Sequence, residues 1–207
     1  MDAIVEQFIF EHAWTHKGPH FKEKRPTMLD NLLGGLTEEQ LRLRPAPGLN
    51  SIIWPVWHIA RCEDVGMTAL ATGERQVLDE GTWPRRLGLS RRDIATGMTD
   101  GEVTELSERI NIPALLEYHE AVATRTRQIV TRVAPHEWTE PPDQTWLTRI
   151  ISEGALGPNA QGLVNYWTGK PRWFFLRLGS PHSSGHLSEA STLKTLVLSR
   201  SPAVPRT

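Results

Sequence analysis

The residues best suited to chemistry are histidines, and their spacing matters. His182-Ser183-Ser184-Gly185-His186 puts two imidazoles four residues apart. On a helix that spacing brings their Cβ atoms to about 5–6 Å on one face. Two such rings can share one divalent ion at about 2.0–2.1 Å, but a third ligand must come from elsewhere. His58 is the best candidate, because it follows Trp54, Pro55, Val56 and Trp57 in a helix that must pack into the core. The bland reading of His58 is a buried imidazole hydrogen-bonded to a carbonyl or carboxylate. Convergence of the three rings would decide for the metal, with imidazole nitrogens expected about 3–4 Å apart around a shared ion. Zn or Ni suits such a site, and affinity alone does not choose between them.

A rival trio is His12, His16 and His20, again at steps of four. Gly18-Pro19 should bend its register, and Lys17, Lys22 and Lys24 make the stretch read as cationic and solvated. His119 lies on the apolar stripe of a helix and reads as packing, or as a hydrogen-bonding neighbour of the site. His136 falls in a loop and reads as surface. Glu189, three beyond His186, could orient a ligand, bind metal or act as a base; otherwise it is a solvated helix residue. Cys62, one turn beyond His58, reads as a buried apolar thiol. Its rival role is a fourth ligand that would close the site and make it structural. The glutamate of a metalloprotease HExxH is absent.

The elements that must position these groups are helices. A helix is expected over about 3–17, broken at Gly18-Pro19 and resuming to about 36. Thr37-Glu38-Glu39-Gln40 is a capping box. The next helix runs over about 52–72, with Pro55 in its first turn. Residues 73–98, rich in Gly, Pro and Arg, read as a long ordered excursion. A second capping box, Thr99 to Glu102, opens a helix to about 110, and Pro113 opens a long one to about 134. A shorter helix is expected at 146–155. The last segment, 171–199, carries Gly179-Ser180-Pro181 and is either kinked or two helices end to end. The expected fold is all-α: a four-helix bundle with a long loop and short-helix insertion between the second and third long helices. One domain is expected over 1–198, with a frayed tail over 199–207.

Composition narrows the classes. The chain has 207 residues, and 23 Lys and Arg balance 24 Asp and Glu, so no basic footprint for nucleic acid exists. No apolar run is long enough to span a membrane. The single cysteine fits a reducing, cytoplasmic setting. Tryptophan is in excess: 8 beside 2 Tyr and 5 Phe. Trp54, Trp57, Trp83, Trp167 and Trp173 are either core or the walls of an apolar pocket.

Three stretches look familiar. Asn50-Ser51-Ile52-Ile53-Trp54-Pro55-Val56-Trp57-His58-Ile59-Ala60-Arg61, followed by Glu63-Asp64, resembles the second helix of the DinB-like superfamily. His182 to Ala190, reading HSSGHLSEA, resembles that family's fourth-helix motif. Gly81-Thr82-Trp83-Pro84-Arg85-Arg86-Leu87-Gly88 resembles a loop of one actinobacterial-type branch. The resemblance spans about residues 25 to 198. It implies a four-helix bundle with a divalent metal on His58, His182 and His186. It also implies the company of mycothiol- and bacillithiol-dependent S-transferases and a mycothiol-dependent maleylpyruvate isomerase. Ser183-Ser184-Gly185 and Pro181 depart from the bulkier residues expected there and could widen or shift the pocket.

Under that reading three neutral histidines leave one position open on the ion. A low-molecular-weight thiol bound there loses its proton and attacks an electrophilic small molecule. Glu189 is the expected catalytic carboxylate, and Arg61 and Trp57 the expected binding groups for the thiol; Arg85 and Arg86 are further cations for its carboxylate, with plain surface arginines as the default reading of all three. The partners are then the thiol and the electrophile, with no nucleic acid and no membrane; a homodimer is compatible. The competing expectation is a non-catalytic metal-binding bundle with a stress-related or regulatory role.

Overall fold

Short capping signals set the chain's course before any packing does. In the computed structural model, which describes residues 3–16 and 26–200, Thr27, Thr37 and Thr99 each accept a hydrogen bond from the backbone three residues on. The residue there answers in kind: Asp30, Gln40 and Glu102. These reciprocal pairs satisfy amide groups a helix start leaves open. They begin α2 (Met28–Leu33), α3 (Glu38–Arg42) and α6 (Asp100–Arg109). Before them stands α1 (Ala3–Thr15). Between α3 and α6 lie α4 (Ile53–Glu63) and α5 (Trp83–Leu87). Then follow α7 (Ile112–Arg132), α8 (Gln144–Ser152), α9 (Gly162–Trp167), α10 (Leu176–Gly179) and α11 (Pro181–Arg200). The described residues contain no strand, so the fold is all-α.

The elements most in contact are α4 and α7, and α11 packs on α4 while α1 packs on both α7 and α11. Every residue of α4 is buried, from Ile53 to Glu63. That explains its composition: only a helix enclosed on all sides is apolar all round. The polar residues it does carry, His58, Arg61 and Glu63, must therefore find partners inside the protein.

Two expectations change in detail, and a third is decided between its two alternatives. The helix foreseen over 52–72 is α-helical only to Glu63 and then π-helical over Asp64–Leu70. A π segment holds one extra residue per turn, and such segments recur beside functional sites. Gly66 lies within it, and a Cβ there would sit 2.2 Å from Leu178 Cδ1, so a larger residue would force the Leu178 side chain to shift. The helix expected to about 36 stops at Leu33 with Gly34 as its cap. The last segment is two helices: Ser180, at φ −131 and ψ −77, separates α10 from α11. The last helix continues to Arg200, and the rest of the expected tail, like His20, lies outside the described residues.

The 73–98 excursion is tied to α4 by buried charge. Asp64 accepts backbone N–H bonds from Val77 at 2.8 Å and Leu78 at 3.0 Å. It also takes the Arg61 guanidinium at 2.9 Å and the Tyr118 hydroxyl at 2.7 Å. Further along, Ile94 N donates to Ala155 O at 3.0 Å. The excursion is thus held where it can reach His58.

Candidate metal centre

His58 points from the middle of α4, and His182 and His186 from the first turns of α11. One donor nitrogen from each lies within 4.8 Å of the others, a looser limit than the 3–4 Å expected from sequence. Ring centroids stand 5.1 Å apart for His58 and His182, and 4.6 Å for each of the other two pairs. His58 is 5% exposed, while the two α11 rings are half-buried.

Their surroundings fix which nitrogen is free. His58 Nδ1–H donates to Ile94 O at 2.5 Å, and a carbonyl can only accept, so Nε2 keeps its lone pair. His186 Nδ1–H donates to Glu189 Oε2 at 3.1 Å, which leaves Nε2 of that ring free as well. His182 Nδ1 is buried with no hydrogen-bond partner. An imidazole held by its second nitrogen on a carbonyl or carboxylate is how metal-binding histidines are usually oriented. These residues therefore fit a divalent ion. Burial, and then the neighbouring rings, pushes His58 down to about 3. Burial, followed by His186, lowers His182 to about 4. Both rings stay neutral and able to ligate at ordinary pH.

The Ile94 carbonyl is itself set by strained backbone. Ala95 is the only non-glycine with positive φ among the described residues, at 65°. Asp93 Oδ1 holds Ala95 N at 2.8 Å and stabilises that turn. Sequence reading missed this loop, since nothing in Asp93-Ile94-Ala95 advertises a left-handed residue.

Beside the rings opens a cavity of about 180 Å³. Its walls include Cys62, Tyr166, Trp167, Phe174, Arg177 and Leu178. Cys62 Sγ lies 3.7 Å from both nitrogens of His58, against the ring. Burial pushes its thiol well above the usual range. Arg177 donates to Tyr166 Oη at 2.7 Å and lies 5.1 Å from the Phe174 ring centre. Trp54 stacks on His58 with centroids 5.0 Å apart, and its indole N–H reaches Met98 Sδ at 3.2 Å.

Arg61 and Trp57, expected to bind a thiol cosubstrate, are placed elsewhere. Both are fully enclosed. The Arg61 guanidinium is spent on Asp64, Tyr118, Gln76 and Arg92 O, so no donor is left for a ligand. Trp57 lies 6.3 Å from Tyr118, centroid to centroid. Arg86 pairs with Glu117 and covers Trp83, and Trp173 is 53% exposed. Of the tryptophans, Trp54 and Trp167 meet the histidines or their cavity. The cation that sequence reading missed is Arg177. A Trp-Phe-Phe-Leu-Arg run ahead of the histidine pair was its only signal.

A second cluster overturns another expectation. His12 and His16 are 0% and 1% exposed, not solvated. Each ring faces one oxygen of Glu63: His12 Nε2 to Oε1 at 2.8 Å, His16 Nε2 to Oε2 at 2.7 Å. His119 is buried and stacks on His16 at 4.7 Å, so it belongs to this cluster and not to the first. His136 is exposed, as expected.

The sequence pattern of the DinB superfamily matches residues 21–160. That stretch contains His58 and Glu63 but neither α1 nor α11. A solved structure described as the conserved protein of locus from Enterococcus faecalis has a similar fold, with a TM-score of 0.69 at 16% identity. The match covers 95% of this chain and 98% of that one. Among curated proteins none matches. No helix among the described residues is long and apolar enough to cross a membrane. The chain belongs to the DinB superfamily.

Proposed function

From that membership and the three convergent imidazoles, we propose that the chain is a metal-dependent transferase. His58, His182 and His186 hold a divalent ion, Zn or Ni. A low-molecular-weight thiol of the mycothiol or bacillithiol kind is joined there to an electrophilic small molecule. The observation that carries the reading is the orientation of the rings. His58 and His186 are tied by their second nitrogens, and His58 and His182 line a cavity of about 180 Å³ with aromatic walls. The ion supplies Lewis acidity, which favours thiolate over thiol at neutral pH.

The chain's own residues do the rest. Ile94 and Glu189 keep two rings aimed. Trp167 and Phe174 line the cavity with apolar surface, which excludes water from a reacting thiolate. Arg177 is the one cation on the wall among the described residues, so it receives a carboxylate of the thiol or of the electrophile. Burial opposes ionisation of Cys62, and the sulfur nucleophile of this proposal is the small thiol. Glu189 acts first through His186, and as a carboxylate near the site it is the proposed proton acceptor.

The test pairs metal analysis with a panel of small thiols against an activated aryl halide. Metal-loaded protein should turn over with at least one thiol and show no turnover when the thiol is left out. His182→Ala should lose that turnover by at least about 100-fold, the scale of a lost catalytic group. A firmly bound ion at these histidines with no turnover for any thiol would replace the transferase by a metal-binding bundle without chemistry.

A further inference from the structure

We propose that His12, His16 and Glu63 form a second divalent metal site, distinct from the first, that fastens α1 to α4. The argument begins with a proton. His16 Nδ1 lies 3.0 Å from the His12 backbone carbonyl, which can only accept, so Nδ1 carries the hydrogen. The Thr15 hydroxyl donates to the same carbonyl at 2.9 Å and lies 2.6 Å from His16 Nδ1, consistent with that assignment. In a neutral ring Nε2 is then a bare lone pair. It stands 2.7 Å from Glu63 Oε2, another lone-pair atom, and the contact lacks hydrogen-bond geometry. Both atoms are buried with no other hydrogen-bond partner. Two lone pairs that close, out of water, require a positive charge beside them. A hydrogen bond bent this far is weak, whereas an ion can sit to one side of both atoms.

The remaining geometry fits an ion. The donor spacings of 2.7 and 2.8 Å match neighbouring ligands about 2.1 Å from a centre at angles near 80–85°, nearer six-coordinate than tetrahedral. Two imidazoles and a carboxylate suit a divalent first-row transition ion. His16 shows the outer support such ligands use, its Nδ1–H on a carbonyl. On binding, the ion displaces the proton that His12 Nε2 shares with Glu63. His12 then carries its hydrogen on Nδ1 and gives up the 3.3 Å contact from Arg127 Nη1, the longest in the cluster.

The experiment loads metal-stripped protein with Co(II), desalts it, and counts ions per chain. Wild type should keep two, His182→Ala one, Glu63→Gln one, and the double variant none. His182→Ala leaves α1 and Glu63 intact, so it tests the site even if Glu63→Gln fails to fold. No cobalt retained by folded His182→Ala overturns the proposal and means that a proton alone occupies the cluster. If wild type keeps one ion that Glu63→Gln retains and His182→Ala loses, this site fails while the first stands. If the surviving ion depends on Glu63 alone, the first site fails and this one stands.

Discussion

Two histidine clusters hang on one stretch of α4, and they differ in their access to water. His58 and Glu63 are five residues apart, about 140° around the helix, so they serve different neighbours. The His58 cluster adjoins a cavity and keeps His186 a quarter exposed. The Glu63 cluster has no exposed member, and a carboxylate supplies its charge. The same residue type therefore offers two services. An accessible trio of rings beside a cavity has room for a further ligand. A closed pair with a carboxylate has no such room and can only hold parts together.

The largest difference between native and acid conditions should come from both clusters at once. Burial, as the first cause, lowers His12 and His182 to about 4 and His58 and His119 to about 3. Unfolded histidines take up protons below about 6.5 while these folded ones do not. Stability is therefore flat above about pH 6.5 and falls as pH drops toward 4, by up to about 1.4 kcal/mol per unit for each ring. In chelator-treated protein, denaturant titrations should show a loss of several kcal/mol and unfolding before pH 4. Replacing His58 and His182 by leucine should roughly halve the slope. A slope unchanged by that double replacement would assign the acid sensitivity to the Glu63 cluster alone.

A smaller effect separates the clusters by their outer support. Glu189 steadies His186 from a side chain 55% exposed. Loss of such a partner costs about 10- to 100-fold in metal affinity, and solvent screening favours the lower end here. Glu189→Gln should weaken the first ion about tenfold by competition with a chelator and leave the second untouched. Loss of turnover at saturating metal would add a proton-transfer role for Glu189. Unchanged affinity and unchanged turnover would make it a surface residue.

How much of this was legible depended on range. The capping boxes at Thr37 and Thr99 are complete within four residues, and the structure forms both. The His182–His186 pair is likewise local, and His58 stood out as a polar ring in an apolar helix. His12 and His16 were misread because their neighbours in sequence are Lys17 and Gly18-Pro19, while their partner Glu63 comes from 47 to 51 residues away. The usable signal was on the other side: Arg61, Glu63 and Asp64 are charges in a helix otherwise too apolar to face water. Arg61 was misassigned for the same reason. Its partners Gln76, Arg92 and Tyr118 are set by tertiary packing, and they leave it no free donor. The π segment carries no residue pattern of its own, and Leu178 of α10 packs against Gly66 within it.

The smallest effect tests whether the loop opposite His58 is set by strain. Ala95 holds a φ of 65° to present the Ile94 carbonyl, a conformation that costs an L-residue about 1–2 kcal/mol. Glycine adopts it freely but loses about 0.5–1 kcal/mol more chain entropy on folding. Ala95→Gly should therefore stabilise the protein by a few tenths to about 1 kcal/mol in denaturant titrations. Its fully buried methyl leaves only a small gap, which trims the gain. The same change frees the loop, so the hold on His58 Nδ1 slackens and metal affinity at the first cluster should fall slightly. The Glu63 cluster, which takes no support from this loop, should keep its ion unchanged. Greater stability with a weaker first ion would mean that the strained turn is kept for the site and not for the fold. A destabilised Ala95→Gly would place the alanine methyl's packing above its strain.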